Sequence, residues 1–134
     1  MNLLLAIDPG ETTGVAVFDL DTQDLVGGYI LDSIAGLEGI FKAYPPKEVV
    51  FEEFNRVHGS SGPHTRTMKL IGAIELLAVQ NRAVCVGQAN MVRKSYEPDA
   101  SAHPLVQACP GETRRHVRDA VAHGMYYLNR RKMS

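Results

Sequence analysis

A short apolar run that ends abruptly in a turn is the feature that most limits the fold of this chain. Residues Leu3–Ile7 are all hydrophobic, and Asp8-Pro9-Gly10 follows them at once. A continuous apolar run of this length is typical of a central strand that is buried on both faces of a sheet. The run is too short for a signal peptide, and no basic segment precedes it. We therefore predict an α/β protein whose first strand lies inside the sheet.

The composition narrows the class of protein further. The chain has 134 residues, 45% hydrophobic and 22% charged, which predicts a single globular domain over residues 1–134. No apolar run approaches the roughly 20 residues that cross a bilayer, so we predict a cytoplasmic protein with no membrane partner. Two cysteines make a disulfide framework impossible and fit no zinc motif. Because the net charge is −1, any nucleic-acid surface has to be a local patch.

The hydrophobic pattern predicts a mixed five-stranded sheet with helices on its faces. An antiparallel hairpin opens the chain, and alternating helices and strands follow it, which implies right-handed parallel crossovers. The predicted strands are Leu3–Ile7, Val15–Phe18, Leu25–Leu31, Glu48–Phe54 and Ala83–Val86. The predicted helices are Ser33–Ala43, Arg66–Asn81, a short one over Gln88–Lys94, and Thr113–Arg131, while Asn55–Thr65 and Glu97–Gly111 are predicted to be irregular.

Three acidic residues stand where a carboxylate is costly. Asp8 directly follows the first strand, Glu52 lies near the end of the fourth strand, and Asp119 is in the last helix. A carboxylate beside buried apolar sequence needs a charged partner or a metal ion. If the two strands are neighbours and the helix crosses their ends, the three side chains can hold two Mg²⁺ ions about 4 Å apart, as in phosphodiester hydrolysis.

His116 is the fourth candidate at this site. It stands three residues before Asp119, so both side chains share one helix face, and the imidazole could ligate an ion or accept a proton. Each of the four residues also has an ordinary interpretation. Asp8 could be only a turn residue, Glu52 an exposed strand end, Asp119 a surface charge, and His116 a structural or solvated histidine.

Four segments of the chain form a recognisable pattern: Leu4–Gly10 with Thr13–Val17, Val49–Phe54, Lys69–Ala73 and His116–His123. Together they resemble the RuvC-type Holliday junction resolvases, and a small size would suit a bacteriophage version. The resemblance implies an RNase H-like fold, a homodimer, Mg²⁺ or Mn²⁺ with two ions per active site, and paired symmetric nicks in a four-way DNA junction. Departures from the family pattern are the shorter chain, Glu53 at a position where an amide is common, and a longer loop after Glu52.

The resemblance also assigns roles to individual residues. The metal-binding catalytic set would be Asp8, Glu52, His116 and Asp119, and Phe54 would help to open the junction, although Phe54 could equally be strand core. Three groups of cations could contact DNA phosphates, or could be ordinary solvated helix charges. The groups are Arg56, His58, His64, Arg66 and Lys69; Arg93 and Lys94; and Arg114, Arg115 and Arg118.

Other functions remain open at the level of sequence. An RNase H-like nuclease that acts on other branched DNA or on RNA would carry the same motifs. The turn Asp8–Gly14 looks like the phosphate loop of actin-like ATP-binding proteins, but those proteins enclose a nucleotide between two such domains. A catalytically silent binding module would have no reason to keep several carboxylates together. Cleavage of a junction therefore remains the main hypothesis.

Overall fold

The computed structural model describes residues 1–53 and 65–133. Its framework is a five-stranded sheet in the order β3-β2-β1-β4-β5, in which β1 pairs antiparallel with β2 and parallel with β4. The mixed sheet and its hairpin start are confirmed. The strands are β1 Leu3–Asp8, β2 Thr13–Asp19, β3 Leu25–Leu31, β4 Glu48–Glu52 and β5 Val84–Gln88.

Helices cover both faces of the sheet. Alternate residues of the first apolar run point to opposite sides, with Leu4 and Ala6 packed in one core cluster and Leu5 and Ile7 in the other. This double burial is why the whole run is hydrophobic. The helices are α1 Ile34–Ala43, α2 Thr65–Gln80, a 3-10 helix Asn90–Tyr96, α3 Glu97–Ala102, α4 Pro104–Gln107 and α5 Gly111–Met133.

Helix α5 crosses one face of the sheet at very short range. A Cβ atom on Gly124 would lie 2.1 Å from the ring of Phe18, so only glycine allows this approach of α5 to β2. The face of α5 toward the sheet carries Val117, Val121 and Leu128, which are buried, and the half-buried Met125. The close contact matters for function, since α5 carries Asp119.

Several predicted boundaries are corrected by the structure. The stretch 97–111 was expected to be irregular because of its three prolines, but it contains α3 and α4. Proline is well tolerated in the first turn of a helix, and Pro98 and Pro104 both occupy that turn. The fourth strand ends at Glu52 instead of residue 54, and the 3-10 helix replaces the helix predicted over 88–94. The predicted loop 55–65 lies almost wholly outside the described residues.

Within residues 1–53 and 65–133, no helix has both the length and the apolar character that crossing a bilayer requires.

Candidate active site

Two of the predicted acids leave the sheet side by side. Strands β1 and β4 are parallel neighbours in which Ile7 pairs with Phe51, so the next residues, Asp8 and Glu52, emerge together at the carboxyl edge. Their carboxyl groups share a hydrogen bond. Asp119 comes from α5 above this edge, is only 8% exposed, and is near enough for its charge to act on Asp8. The three predicted carboxylates therefore lie near one another at this edge of the sheet.

The surroundings shift the pKa values of Asp8 and Glu52 in opposite directions. Burial, followed by the negative charges of Glu52 and Asp119, raises the pKa of Asp8 to about 8. Burial also acts to raise the pKa of Glu52, but hydrogen bonds from His123 and Asp8 outweigh it, so this pKa falls below its usual value. Near neutral pH, Asp8 thus retains a proton that it donates to Glu52. Three crowded acids that keep a proton form a site with a strong demand for positive charge.

The guanidinium group of Arg93 neutralises part of the negative charge of these acids. Nη1 of Arg93 lies 2.7 Å from Oε1 of Glu52, and its Nε lies 3.8 Å from Oδ1 of Asp119. The same Nε donates to Oε1 of Glu97 at 3.3 Å. These contacts hold the pKa of Arg93 above its ordinary value, although burial opposes the rise. Arg93, predicted from sequence to contact DNA, is therefore also the internal counter-ion of the carboxylates.

A second arginine and a histidine complete the surroundings. Nη2 of Arg118 lies 2.9 Å from Oδ1 of Asp119. His123, which is fully buried, places its Nε2 3.0 Å from Oε1 of Glu52. Sequence analysis assigned no role to His123. One signal was available, because His123 stands one helical turn after Asp119 on the same helix and faces the same strand ends.

The carboxylates suit a hard divalent cation by their chemistry. Oxygen ligands from acidic side chains are those that Mg²⁺ and Mn²⁺ prefer. As the side chains stand, no three His, Cys, Asp or Glu residues in the described part of the chain converge on one ion position. Two of the carboxylates are instead paired with guanidinium groups, Glu52 with Arg93 and Asp119 with Arg118. By donor type, the carboxylates of Asp8, Glu52 and Asp119 are therefore suited to a divalent cation.

His116 lies half-buried on α5, one turn before Asp119, and the structure records no hydrogen bond or ion pair between its ring and the three carboxylates. Lys69 and Lys94 are exposed. The predicted residues Phe54, Arg56, His58 and His64 lie outside the described residues.

The remaining predicted cations make local contacts. Arg66 donates to the backbone oxygen of Asp32, and Arg115 pairs with Glu112 across 3.1 Å. Arg114 donates to the backbone oxygens of Cys109 and Gln107 at 3.0 and 2.8 Å. These three arginines therefore contact protein groups near the start of α2 and α5, and their role in DNA binding stays a prediction.

Known proteins match this chain by structure but not by sequence. No family model and no curated protein matches the sequence. Among solved structures, Thermus thermophilus RuvC in complex with a Holliday junction substrate has a TM-score of 0.73 and 16% identity, covering 100% of this chain and 97% of that one. Fowlpox virus resolvase, solved with Holliday junction DNA, has a TM-score of 0.70 and 14% identity, covering 95% and 99%. The chain therefore has the RNase H-like fold of the RuvC-type resolvases.

Proposed function

We propose that this protein is a metal-dependent endonuclease that resolves four-way (Holliday) DNA junctions by paired nicks. The observation that carries the proposal is the meeting of Asp8, Glu52 and Asp119, from two strands and a helix, at one edge of an RNase H-like sheet. Two solved proteins of the same fold hold junction DNA, which supports this substrate. Such an enzyme would act in the cytoplasm of a bacterial or phage-infected cell.

The carboxylates would hold Mg²⁺ or Mn²⁺, two ions per active site, with His116 as an additional ligand or proton acceptor. The chemistry such ions would supply is activation of a water for in-line attack and neutralisation of charge on the departing oxygen of the phosphodiester. The charges of both Glu52 and Asp119 act on Asp8, so Asp8 would be the central residue of the set that holds the metal. It has to release its proton first, and Arg93 has to release Glu52.

Arg93 then becomes available to the substrate. A guanidinium group that leaves a carboxylate cluster at the site of cleavage can bind a DNA phosphate in two-point geometry. The exposed cations Lys69 and Lys94 and the arginines Arg66, Arg114 and Arg115 would extend this contact, together with Phe54, Arg56, His58 and His64. A steep fall of junction affinity with salt would support this surface, and a shallow one would contradict it.

A homodimer would supply the two symmetric active sites that a four-way junction needs. Helix α2 offers a surface for a second copy, because Leu76 and Val79 on its outer face are 58% and 72% exposed. Gly72 lies on the same face with open space around its Cα, although glycine within a helix costs stability. If a second copy of α2 crossed this face closely, it would bury Leu76 and Val79, and Gly72 would allow the two helices to approach.

Sedimentation velocity with junction DNA present tests the dimer. We expect the wild type to bind as a dimer and Leu76→Glu to shift the protein toward the monomer. Val26→Glu, which changes another exposed apolar residue on β3, is the matched control and should leave the dimer intact. A wild type that stays monomeric would contradict the proposal.

Cleavage of labelled substrates tests the function itself. We expect Mg²⁺-dependent cutting of a four-way junction in preference to duplex, flap and RNA–DNA hybrid, with Asp8→Asn as the inactive control. Preferred cutting of a flap or a hybrid would instead favour the related nuclease functions. Binding of ATP without any cleavage would favour the actin-like alternative.

A further inference from the structure

A buried polar pair supports the carboxylate cluster from behind. His123 is completely buried, and its Nε2 lies 3.0 Å from Oε1 of Glu52. Its Nδ1 lies 3.1 Å from Nε2 of Gln88, which is also buried. Gln88 is the residue of β5 that pairs with Glu52 of β4. The three side chains therefore form a chain of hydrogen bonds that runs from the sheet through α5 and back to the acid.

The direction of these hydrogen bonds follows from one contact. Nε2 of Gln88 lies 3.2 Å from the backbone oxygen of His123, and a carbonyl oxygen can only accept, so this side-chain atom is the amide nitrogen. The same amide group then donates its second hydrogen to Nδ1 of His123. A neutral imidazole with an accepting Nδ1 carries its hydrogen on Nε2. That hydrogen is donated to Glu52.

We propose that His123 and Gln88 are positioning residues that hold the Glu52 carboxylate in the orientation needed to bind a divalent cation. This inference rests on the proposed metal-dependent nuclease function. Partners behind metal-binding carboxylates orient them, and loss of such a partner typically weakens metal binding or activity by about 10- to 100-fold.

The position of His123 distinguishes it from Arg93, which contacts the same oxygen. Arg93 has a side chain that is 24% exposed, so it can turn away when a metal or DNA arrives. His123 is enclosed by the sheet and α5, and no comparable exit is open to it. Burying an imidazole is costly unless its nitrogens are bonded. Both nitrogens are bonded, which makes His123 the permanent support of Glu52.

The main test compares metal binding by the full-length protein before and after loss of the donor. His123→Phe keeps a ring in the space but removes the hydrogen bond to Glu52. We expect its Mn²⁺ affinity, measured by calorimetry, to fall by about 10- to 100-fold. Junction cleavage should recover substantially at saturating Mg²⁺. His123→Gln, which places an amide donor at a similar reach, should restore much of the affinity.

Tyr127→Phe is the matched control. Tyr127 stands one turn beyond His123 on α5, and its hydroxyl donates to Oε1 of Glu48 at 2.6 Å. Glu48 and Glu52 are the two ends of β4, so this variant removes a similar bond between the same helix and the same strand, away from the acids. We expect lower stability but unchanged Mn²⁺ affinity and Mg²⁺ requirement.

The outcomes separate this inference from the proposed function. If the wild type neither binds Mn²⁺ nor cleaves junctions, the proposed function fails and this role fails with it. If the wild type does both and His123→Phe matches Tyr127→Phe in Mn²⁺ affinity, only the inferred role of His123 is overturned.

Nuclear magnetic resonance tests the wild type directly, should His123→Phe not fold. Long-range ¹H–¹⁵N correlations should show hydrogen on Nε2 and none on Nδ1 of His123, and Mg²⁺ should shift the Nε2 signal. A hydrogen on Nδ1, or no response to Mg²⁺, would overturn the proposal.

Discussion

A Cβ atom placed on Gly14 would lie 2.1 Å from the carbonyl oxygen of His116. Gly14 is the residue of β2 that pairs with Asp8 of β1. Backbone of α5 thus rests directly on the sheet beside Asp8, and Asp119, one turn further along, reaches the acidic cluster. The absence of a side chain at position 14 sets the distance between the helix and the strands that carry the acids.

We expect Gly14→Ala to disturb both stability and the site. The added methyl group meets backbone, which cannot rotate away, so α5 has to shift at a cost of about 1–3 kcal/mol. Denaturant unfolding measures this cost, and Mn²⁺ calorimetry should show weaker binding. Gly39→Ala is the control, because nothing lies within 4 Å of a Cβ atom there, and it should stabilise α1 by up to about 1 kcal/mol. Equal effects of the two substitutions would contradict this explanation.

Asp8→Asn should abolish cleavage, leave junction binding intact, and stabilise the metal-free protein. The amide can donate to Glu52 without a bound proton and without adding charge to the cluster. Because one unit of pKa difference corresponds to about 1.4 kcal/mol, we expect the free energy of unfolding at about pH 9 to rise by at least that amount.

The pH dependence of this gain has a definite sign. The fold raises the pKa of Asp8 from 3.8 to about 8, so the folded state binds the proton more tightly than the unfolded state. The contribution of Asp8 to stability is therefore fully present below pH 3.8 and is lost as the pH rises toward 8. Unfolding curves of the wild type and variant, recorded in a chelator, should coincide near pH 4 and diverge up to about pH 8. A constant difference across this range would argue against a shared proton.

Arg93→Gln should lower the stability of the metal-free protein and strengthen its binding of metal. Without the guanidinium group the metal-free protein should melt at a lower temperature, because Glu52 and Asp119 lose a counter-ion. Mn²⁺ should bind about five- to tenfold more tightly, since it no longer competes with a partly exposed ion pair worth about 1 kcal/mol. Calorimetry and thermal melts with and without metal measure both effects. Lys94→Gln, at the exposed neighbouring position, should change neither.

Arg131→Met should lower stability in a pH-dependent way. Burial acts to raise the pKa of Glu48, but hydrogen bonds from Arg131 and Tyr127 hold that pKa below its usual value. A depressed acid pKa stabilises the fold above the unfolded value of 4.5 and ceases to do so as the pH falls through the folded value.

The magnitude should be modest, because the side chain of Arg131 is 45% exposed and solvent screens the pair. We expect a loss of about 1 kcal/mol at neutral pH that disappears in acid, as the pH falls through the lowered pKa of Glu48, measured by denaturant unfolding. Arg130→Met, which removes a cation over the ring of Tyr126, should cost less and show no such dependence.

The sequence predicted the sheet and its principal acids because the signals are local. A run that is apolar at every position, as in Leu3–Ile7, belongs to a strand buried on both faces, and β1 fulfils this prediction. Asp8 and Glu52 were identified because each ends such a strand, and parallel neighbours in a sheet end at the same edge. The prolines of 97–111 misled the prediction, since the same residue that ends one helix can begin another.

The partners of those acids were decided only by tertiary structure. Arg93, Gln88 and His123 come from the segment after β4 and from α5. The sequence singled out Arg93 only as a cation for DNA, and the one-turn spacing of His123 from Asp119 did not reveal its bond to Glu52. These three residues become a counter-ion and a support for Glu52 because the parallel pairing of β4 with β5 and the close approach of α5 place them there. Sequence alone thus determined which residues carry the negative charge and which strands they end. The packing of the helix on the sheet decided what neutralises and orients that charge, because those contacts join positions that lie 35 to 71 residues apart along the chain.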